Sequence, residues 1–256
     1  MARIELRQVT TAHKSGAPGA SGLRSAGLLV AEGEWVALLG RAGGGTSRVL
    51  HLIAGLAQPS SGTILVGGTP VSGPRPDVGL TFRTDALLPW LSALDNVALA
   101  VAAARPGRPR AAHHARAACA LARLGLGDAM AKRPGQLSAA QRRRVAIARA
   151  LAIEPAVLLL DDPLGGLDAA SKPALRDDLV RLLSAADGRL TTVLATPDVE
   201  DALIADRVVP LGGTAPTGVG APISIALSRT RRLASLAHDD QGARARACLV
   251  AALTAA

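Results

Sequence analysis

Residues 40–47 read Gly-Arg-Ala-Gly-Gly-Gly-Thr-Ser, the phosphate-cradling pattern G-x-x-x-x-G-K-[ST] complete except for its lysine. Gly40, Gly43, Gly44 and Gly45 leave room for backbone N–H groups to approach an anion, and Arg41 and Ala42 fill variable positions. Ser47 keeps the terminal hydroxyl. Thr46 stands at the cationic position. A lysine there carries the charge that holds the β and γ phosphates through phosphoryl transfer, and threonine carries none. The chemistry indicated is therefore phosphate binding, with transfer undercut.

Such a loop acts only between a strand and a helix. Residues 34–39 form a short apolar strand that runs into Gly40, and residues 47–56 have helical periodicity at Val49, Leu50, Ile53 and Ala54. Upstream, residues 4–9 read as an edge strand and 13–26 as a turn or loop. Downstream, 62–68 read as a strand and turn, 78–82 as a strand, and 85–104 as a helix around Leu87-Leu88-Pro89-Trp90. Residues 105–110, rich in proline and arginine, break that helix, and 111–126 return to helical spacing. Strands at 156–160 and 191–195 then flank a helix near 172–185. Near-continuous apolar strands alternating with helices predict an α/β fold with a parallel sheet covered on both faces and a helical insert. Residues 212–256 depart from this pattern, as a poorly ordered tail or as a short helix toward Leu253 on the core.

Composition sets the class. The chain has 256 residues, 49% hydrophobic, with mean hydropathy +0.28, enough for a substantial core. Apolar runs such as 98–104 and 156–160 fall short of the roughly 20 residues a membrane helix needs. Residues 1–9 alternate charged and apolar types, so no signal peptide is expected. Cys119 and Cys248 lie far apart without metal-ligand spacing, which predicts a reduced, cytosolic setting. The net charge is +9, and only three of the 29 basic residues are lysine (Lys14, Lys132, Lys172). That excess is either a compositional surface bias or an attraction to an acidic partner such as nucleic acid or an anionic membrane face. One Phe, two Trp and no Tyr make a poor base-stacking platform, so no nucleic-acid partner is expected. His113, His114 and His238 lack ligand spacing and read as surface residues.

Four blocks in order resemble the ATP-binding subunit of an ABC transporter over residues 2–212: the glycine loop, Leu137-Ser138-Ala139-Ala140-Gln141 as the signature, residues 158–163 as the Walker B strand, and Gly166-Leu167-Asp168 as the D-loop. The segments Leu87-Leu88-Pro89-Trp90 and Leu94-Asp95-Asn96-Val97, with the helix at 142–151, resemble importers of the nitrate, sulfonate and taurine type. The resemblance implies a P-loop NTPase (RecA-like) core with a mostly parallel sheet, an antiparallel β subdomain, and a helical signature subdomain inserted at about 85–152. It places the ATP-binding domain at 1–212 and a tail without assigned function at 213–256. It implies ATP and Mg2+ as cofactors, with Ser47 and Asp161 as magnesium ligands. It also implies a membrane permease as docking partner, a homodimer or a heterodimer with another ABC ATPase, an indirect link to a solute-binding protein, and a peripheral place on the cytoplasmic face of the cell membrane.

Departures from that family fall on the chemistry. Asp162 stands where the family has the glutamate that polarises the attacking water, and its side chain is one methylene shorter. A displacement of about 1 Å can lower the rate ~10²-fold. Alternatively, Asp162 only caps the turn before Pro163. Arg83 replaces the Q-loop glutamine and would repel a metal ion. Pro197 replaces the switch histidine and has no donor to offer. Ser138 is kept in the signature while both glycines become Ala139 and Ala140, each adding a Cβ where backbone should approach a nucleotide closely. His13 falls loosely at the adenine-stacking position. Arg41 or Arg48 could stand in for the missing lysine, although a guanidinium is longer and planar. Two readings are open: an importer subunit that binds ATP with impaired or no hydrolysis, and a non-catalytic partner of a permease or of an active paralogue. A nucleic-acid-associated protein rests on charge alone.

Overall fold

Residues 35–39, 157–161 and 191–196 are buried at every position, which suits only strands covered on both faces. The computed structural model describes residues 2–11, 22–41, 43–186, 189–212, 218–225 and 240–255. Ala42, His13, His238 and residues 228–232 lie outside them. In chain order the strands are β1 (Ile4–Thr10), β2 (Ala26–Val30), β3 (Trp35–Leu39), β4 (Ser61–Val66), β5 (Thr69–Pro70), β6 (Val78–Thr81), β7 (Val157–Asp161), β8 (Thr191–Thr196), β9 (Arg207–Gly212), β10 (Gly218–Val219) and β11 (Ile223–Ser224). The helices are α1 (Thr46–Ile53), α2 (Ala93–Ala104), α3 (Arg110–Arg123), α4 (Ala139–Ala152), α5 (Ser171–Ser184), α6 (Val199–Ala202) and α7 (Asp240–Ala255).

Strands β9, β3, β8, β7 and β6 lie side by side in parallel, with β10 and β11 added antiparallel to β9. Alternate residues of these strands enter two cores, as the period of two requires. Trp35, Ala37, Leu39, Leu158, Leu160 and Leu194 join the core that holds the buried faces of α2, α3, α4 and α5. Val36, Leu38, Leu159, Val193 and Ala195 face the other way, onto α1 and an antiparallel sheet of order β2-β1-β4-β5. Gly79 lets β6 approach α4 closely, since a Cβ there would lie 2.6 Å from the Ala150 carbonyl oxygen.

The predicted α/β fold, antiparallel sheet and helical insert are all present, and three local expectations change. Strand β1 is not an edge strand, because it pairs with β2 on one side and β4 on the other. A half-buried alternation looks the same in an inner strand of an open antiparallel sheet as at its edge. The predicted helix at 85–104 begins only at Ala93. Ser92 caps it by accepting from the Asp95 amide, and Asn96 ties the preceding segment down by accepting from the Leu88 amide and donating to the Leu88 and Leu91 carbonyls. Pro89 disfavours the helical conformation for Leu88. Ala26, assigned to the loop, opens β2. At the other end of the chain, α7 runs for 16 residues and packs on the core, with Leu249 fully buried and Arg246 paired with Glu200.

Candidate active site

The glycine loop lies at the C-terminal edge of the parallel sheet, where β3 hands over to α1. Gly40 N–H donates to the Thr196 carbonyl at the end of β8 (3.2 Å), which fixes the loop's start. Gly43 and Gly45 have φ of +85° and +88°, a region costly for residues with a Cβ. Gly45 caps α1 in that conformation. Gly44 N–H donates to the Arg41 carbonyl (2.8 Å), and a Cβ at Gly44 would lie 2.9 Å from that oxygen. The first N–H groups of α1 have no partner inside the helix and stand at its positive end. Thr46 and Ser47 are half-buried there.

Beneath the loop, Ser47 Oγ donates to Asp161 Oδ1 at 2.8 Å. Asp161 ends β7 and is 4% exposed, and its amide donates to Thr81 Oγ1 on β6. The next residue turns sharply. Asp162 has φ +49°, and its amide donates to the Ala195 carbonyl of β8 at 2.8 Å. Its carboxylate turns toward Gly165, where a Cβ would come within 2.2 Å of Oδ2. Burial raises the Asp162 pKa, opposed by the positive charges of Arg83 and Arg143 and reinforced by the neighbouring Asp161. Both readings of Asp162 have a basis: its carbonyl accepts from Gly165 N–H to close the turn, while its carboxylate faces the site.

Arg83 places its Nε 3.5 Å from Asp162 Oδ2, with half of its side chain exposed. Expected from the sequence only to repel a metal ion, Arg83 stands here as a cation beside a carboxylate. The two arginines named as stand-ins for the lysine, Arg41 and Arg48, are both exposed and form no ion pair among the described residues. Arg143, which nothing in the sequence distinguishes from Arg142 and Arg144, organises the site. Only 7% exposed, it donates to the carbonyls of Phe82 (3.3 Å), Arg83 (3.1 Å) and Gly165 (3.1 Å), and its Nε is 3.3 Å from Asp85 Oδ1. One guanidinium thus joins the end of β6, the turn after β7 and the start of the helical insert. Among the consecutive arginines 142–144, the helical register of α4 decides which is buried, and composition gives no sign of it.

The remaining predicted residues divide. Pro197 is exposed directly after β8, at the sheet edge where Thr196 meets Gly40. Asp198 beside it caps α6; although burial raises its pKa, the Lys172 ammonium and the Glu200 amide hold it below the usual carboxylate value. Lys172 also reaches Asp201 (2.9 Å), and Arg176 pairs with that carboxylate at 2.6 Å. Asp168 accepts from the Ser171 amide and hydroxyl (both 2.8 Å), starting α5. The signature residues sit apart at the exposed start of α4. Ser138 and Gln141 form a reciprocal capping box, Gln141 N–H to Ser138 Oγ at 3.1 Å and Ser138 N–H to Gln141 Oε1 at 3.0 Å. Ala139 is exposed and Ala140 half-buried. The fold therefore brings together Gly40, Arg41, Gly43–Ser47, Arg83, Asp161, Asp162 and Pro197, and leaves Ser138–Gln141 on a separate surface. The arrangement offers an anion cradle, a hydroxyl–carboxylate pair of hard oxygens, and one half-exposed guanidinium.

The profile described as ABC transporter matches residues 23–165. A bicarbonate transport ATP-binding protein, CmpD of Synechocystis sp., is 41% identical over 82% of this chain and 74% of its own length. A nitrate import ATP-binding protein, NrtD of Synechococcus elongatus, is 40% identical over 86% of this chain and 80% of its own. The structure also resembles the dimeric ATP-binding cassette MJ0796 bound to ADP and Pi, with a TM-score of 0.76 and 28% identity over 88% of this chain and all of that one. Glycine loop, strand-end carboxylates and capped signature helix occur in one parallel-sheet frame, and the chain belongs to the ABC transporter family.

Proposed function

We propose that the chain is the ATP-binding subunit of an importer for a small anion, that it holds ATP with magnesium, and that its hydrolysis is impaired or absent. The reading is carried by a contrast within one site. Ser47 Oγ and Asp161 Oδ1 meet at 2.8 Å under the loop, while Thr46 brings no charge and the second carboxylate faces Arg83. Hard oxygen donors suit magnesium, so Ser47 and Asp161 would hold the ion, and the loop amides would hold the phosphates. Bound there, magnesium neutralises phosphate charge. Nothing at Thr46, Arg83 or Pro197 offers the family's lysine, glutamine or histidine, and Asp162 is shorter than the family's glutamate.

The names of the bicarbonate and nitrate relatives support a small oxyanion as the transported class, and the segment around Trp90 extends the resemblance to sulfonate and taurine importers. On this reading a permease is the docking partner, the chain pairs with a second copy or a related ATPase, a solute-binding protein acts indirectly, and the subunit lies on the cytoplasmic face of the membrane. Among the described residues no helix is long and apolar enough to cross a membrane.

The test is ATP binding and magnesium-dependent phosphate release by the purified chain, beside a variant carrying Thr46→Lys, Arg83→Gln, Asp162→Glu and Pro197→His together. The unmodified chain should bind ATP and release phosphate near background. The fourfold variant should be at least ~10²-fold faster, the scale of a lost charge clamp or a misplaced base. Brisk turnover by the unmodified chain would overturn the proposal. Neither binding nor turnover, with recovery in the variant, would favour a purely docking role.

A further inference from the structure

The phosphate loop lacks its lysine, so an anion held there meets no cation at the first position of α1, where Thr46 stands. Five cations approach the site from other elements or flank the loop. Arg143 is buried and committed to the carbonyls of Phe82, Arg83 and Gly165. Lys172 is committed to Asp198 and Asp201. Arg41 and Arg48 are exposed and make no ion pair among the described residues. Arg83 differs from all of these. Its backbone is fixed, because Arg143 holds its carbonyl and the Phe82 ring before it packs on His51 of α1, with ring centroids 6.2 Å apart. Its side chain is free to act: half-exposed, it turns Nε to Asp162 Oδ2 at 3.5 Å, and its two terminal nitrogens have no partner among the described residues. The neighbouring strand end carries Asp161, bonded to Ser47 of the loop at 2.8 Å. A guanidinium offers five N–H donors suited to phosphate oxygens.

We propose that Arg83 is the phosphate-facing cation of this site, supplying from the end of β6 the charge that Thr46 does not supply from α1. Asp162 holds the guanidinium over the site through one edge and leaves the fork of terminal nitrogens open to an anion. This rests on the reading of the glycine loop as a nucleotide site, and it turns Arg83 from a defect into the residue on which affinity depends.

The experiment is calorimetric titration of the full chain with ATP and magnesium, for the unmodified protein, Arg83→Gln, Arg83→Lys, Thr46→Lys, and Thr46→Lys with Arg83→Gln. Charge-assisted hydrogen bonds imply that Arg83→Gln weakens ATP binding on the order of 10-fold to 100-fold. Arg83→Lys should recover part of the loss, and Thr46→Lys should recover most of it in the Arg83→Gln background while adding less to the unmodified chain. The salt dependence of ATP affinity should be shallower in Arg83→Gln, a change that loss of a structural prop would not cause. Thermal melts confirm folding, which the exposed side chain leaves intact. Unchanged or tighter ATP binding in Arg83→Gln overturns the inference while the nucleotide reading stands. Failure of the unmodified chain to bind ATP overturns both, and binding gained by Arg83→Gln alone would then show Arg83 to be an obstruction.

Discussion

Asp162 shows how a single residue can meet two demands in one place. Its positive φ bends the chain after β7, and aspartate tolerates that conformation better than most residues with a Cβ. The bend packs its carboxylate against the backbone of Gly165 and presents its outer edge to Arg83. Gly165 is thus required by a side chain: the three heavy atoms nearest to a methyl placed there all belong to the Asp162 carboxylate. Gly165→Ala should destabilise the protein by about 1–3 kcal/mol through overpacking. In an Asp162→Ala background most of that loss should vanish, since the clashing oxygens are gone. A double-mutant cycle from denaturant melts checks it, and a Gly165→Ala effect of equal size in both backgrounds would place the strain elsewhere. The sequence shows the Asp161-Asp162 pair and the glycine run after Pro163, because residue types and adjacency are explicit there. It does not show that Arg83 and Arg143 meet them, because those contacts span about 80 and 20 residues of chain and depend on strand order and helical register.

At the scale of elements, legibility follows from how local the cause is. β3 and β7 are recognisable because burial on both faces favours a near-continuous apolar run, β8 from its β-branched threonines around Val193-Leu194-Ala195, and α1 because its apolar residues recur at helical spacing. The start of α2 is not, because it is decided by Ser92 and by Asn96 reaching back to the Leu88–Leu91 segment against helical propensity in 85–91. The join between the two sheets has a similar origin. Arg75 donates to both carboxylate oxygens of Asp77 (2.9 and 2.7 Å) and to the Val66 carbonyl at the end of β4 (3.1 Å), linking the antiparallel sheet to the entry of β6. The hydrogen bond from Arg75 holds the Asp77 pKa below the usual carboxylate value, although burial opposes it. A carboxylate whose folded-state pKa is depressed stabilises the fold above its unfolded value, and that contribution is lost as pH falls through the folded value. Asp77→Asn should therefore be less stable than the unmodified chain near neutral pH, and the two should converge as pH drops below the ordinary carboxylate range. Melting temperatures measured across the acid range decide it. A gap that stays constant with pH would mean that packing, not charge, holds this join.

For the molecule as a whole, the question is whether two copies can close on nucleotide. The motif resemblance implies that the signature of one subunit covers the nucleotide on the loop of the other, and the start of α4 is the surface that would do so. Ser138 is already engaged in a capping box with Gln141, which favours the helix. Ala139 and Ala140 bring methyl groups to the first turn, where close backbone approach would be needed. The charge of +9 on each copy adds repulsion between like surfaces, which salt screens. Both effects disfavour a homodimer and favour pairing with a related ATPase whose signature is intact. With Thr46→Lys to strengthen nucleotide binding, ATP should leave the chain monomeric by sedimentation velocity. Adding Ala139→Gly and Ala140→Gly should shift it toward a dimer, more so at higher salt, even though each glycine costs the helix up to about 1 kcal/mol. An ATP-dependent dimer formed with both alanines in place would show that the methyl groups leave room for the partner's nucleotide, and the case for a dissimilar partner would fall with it.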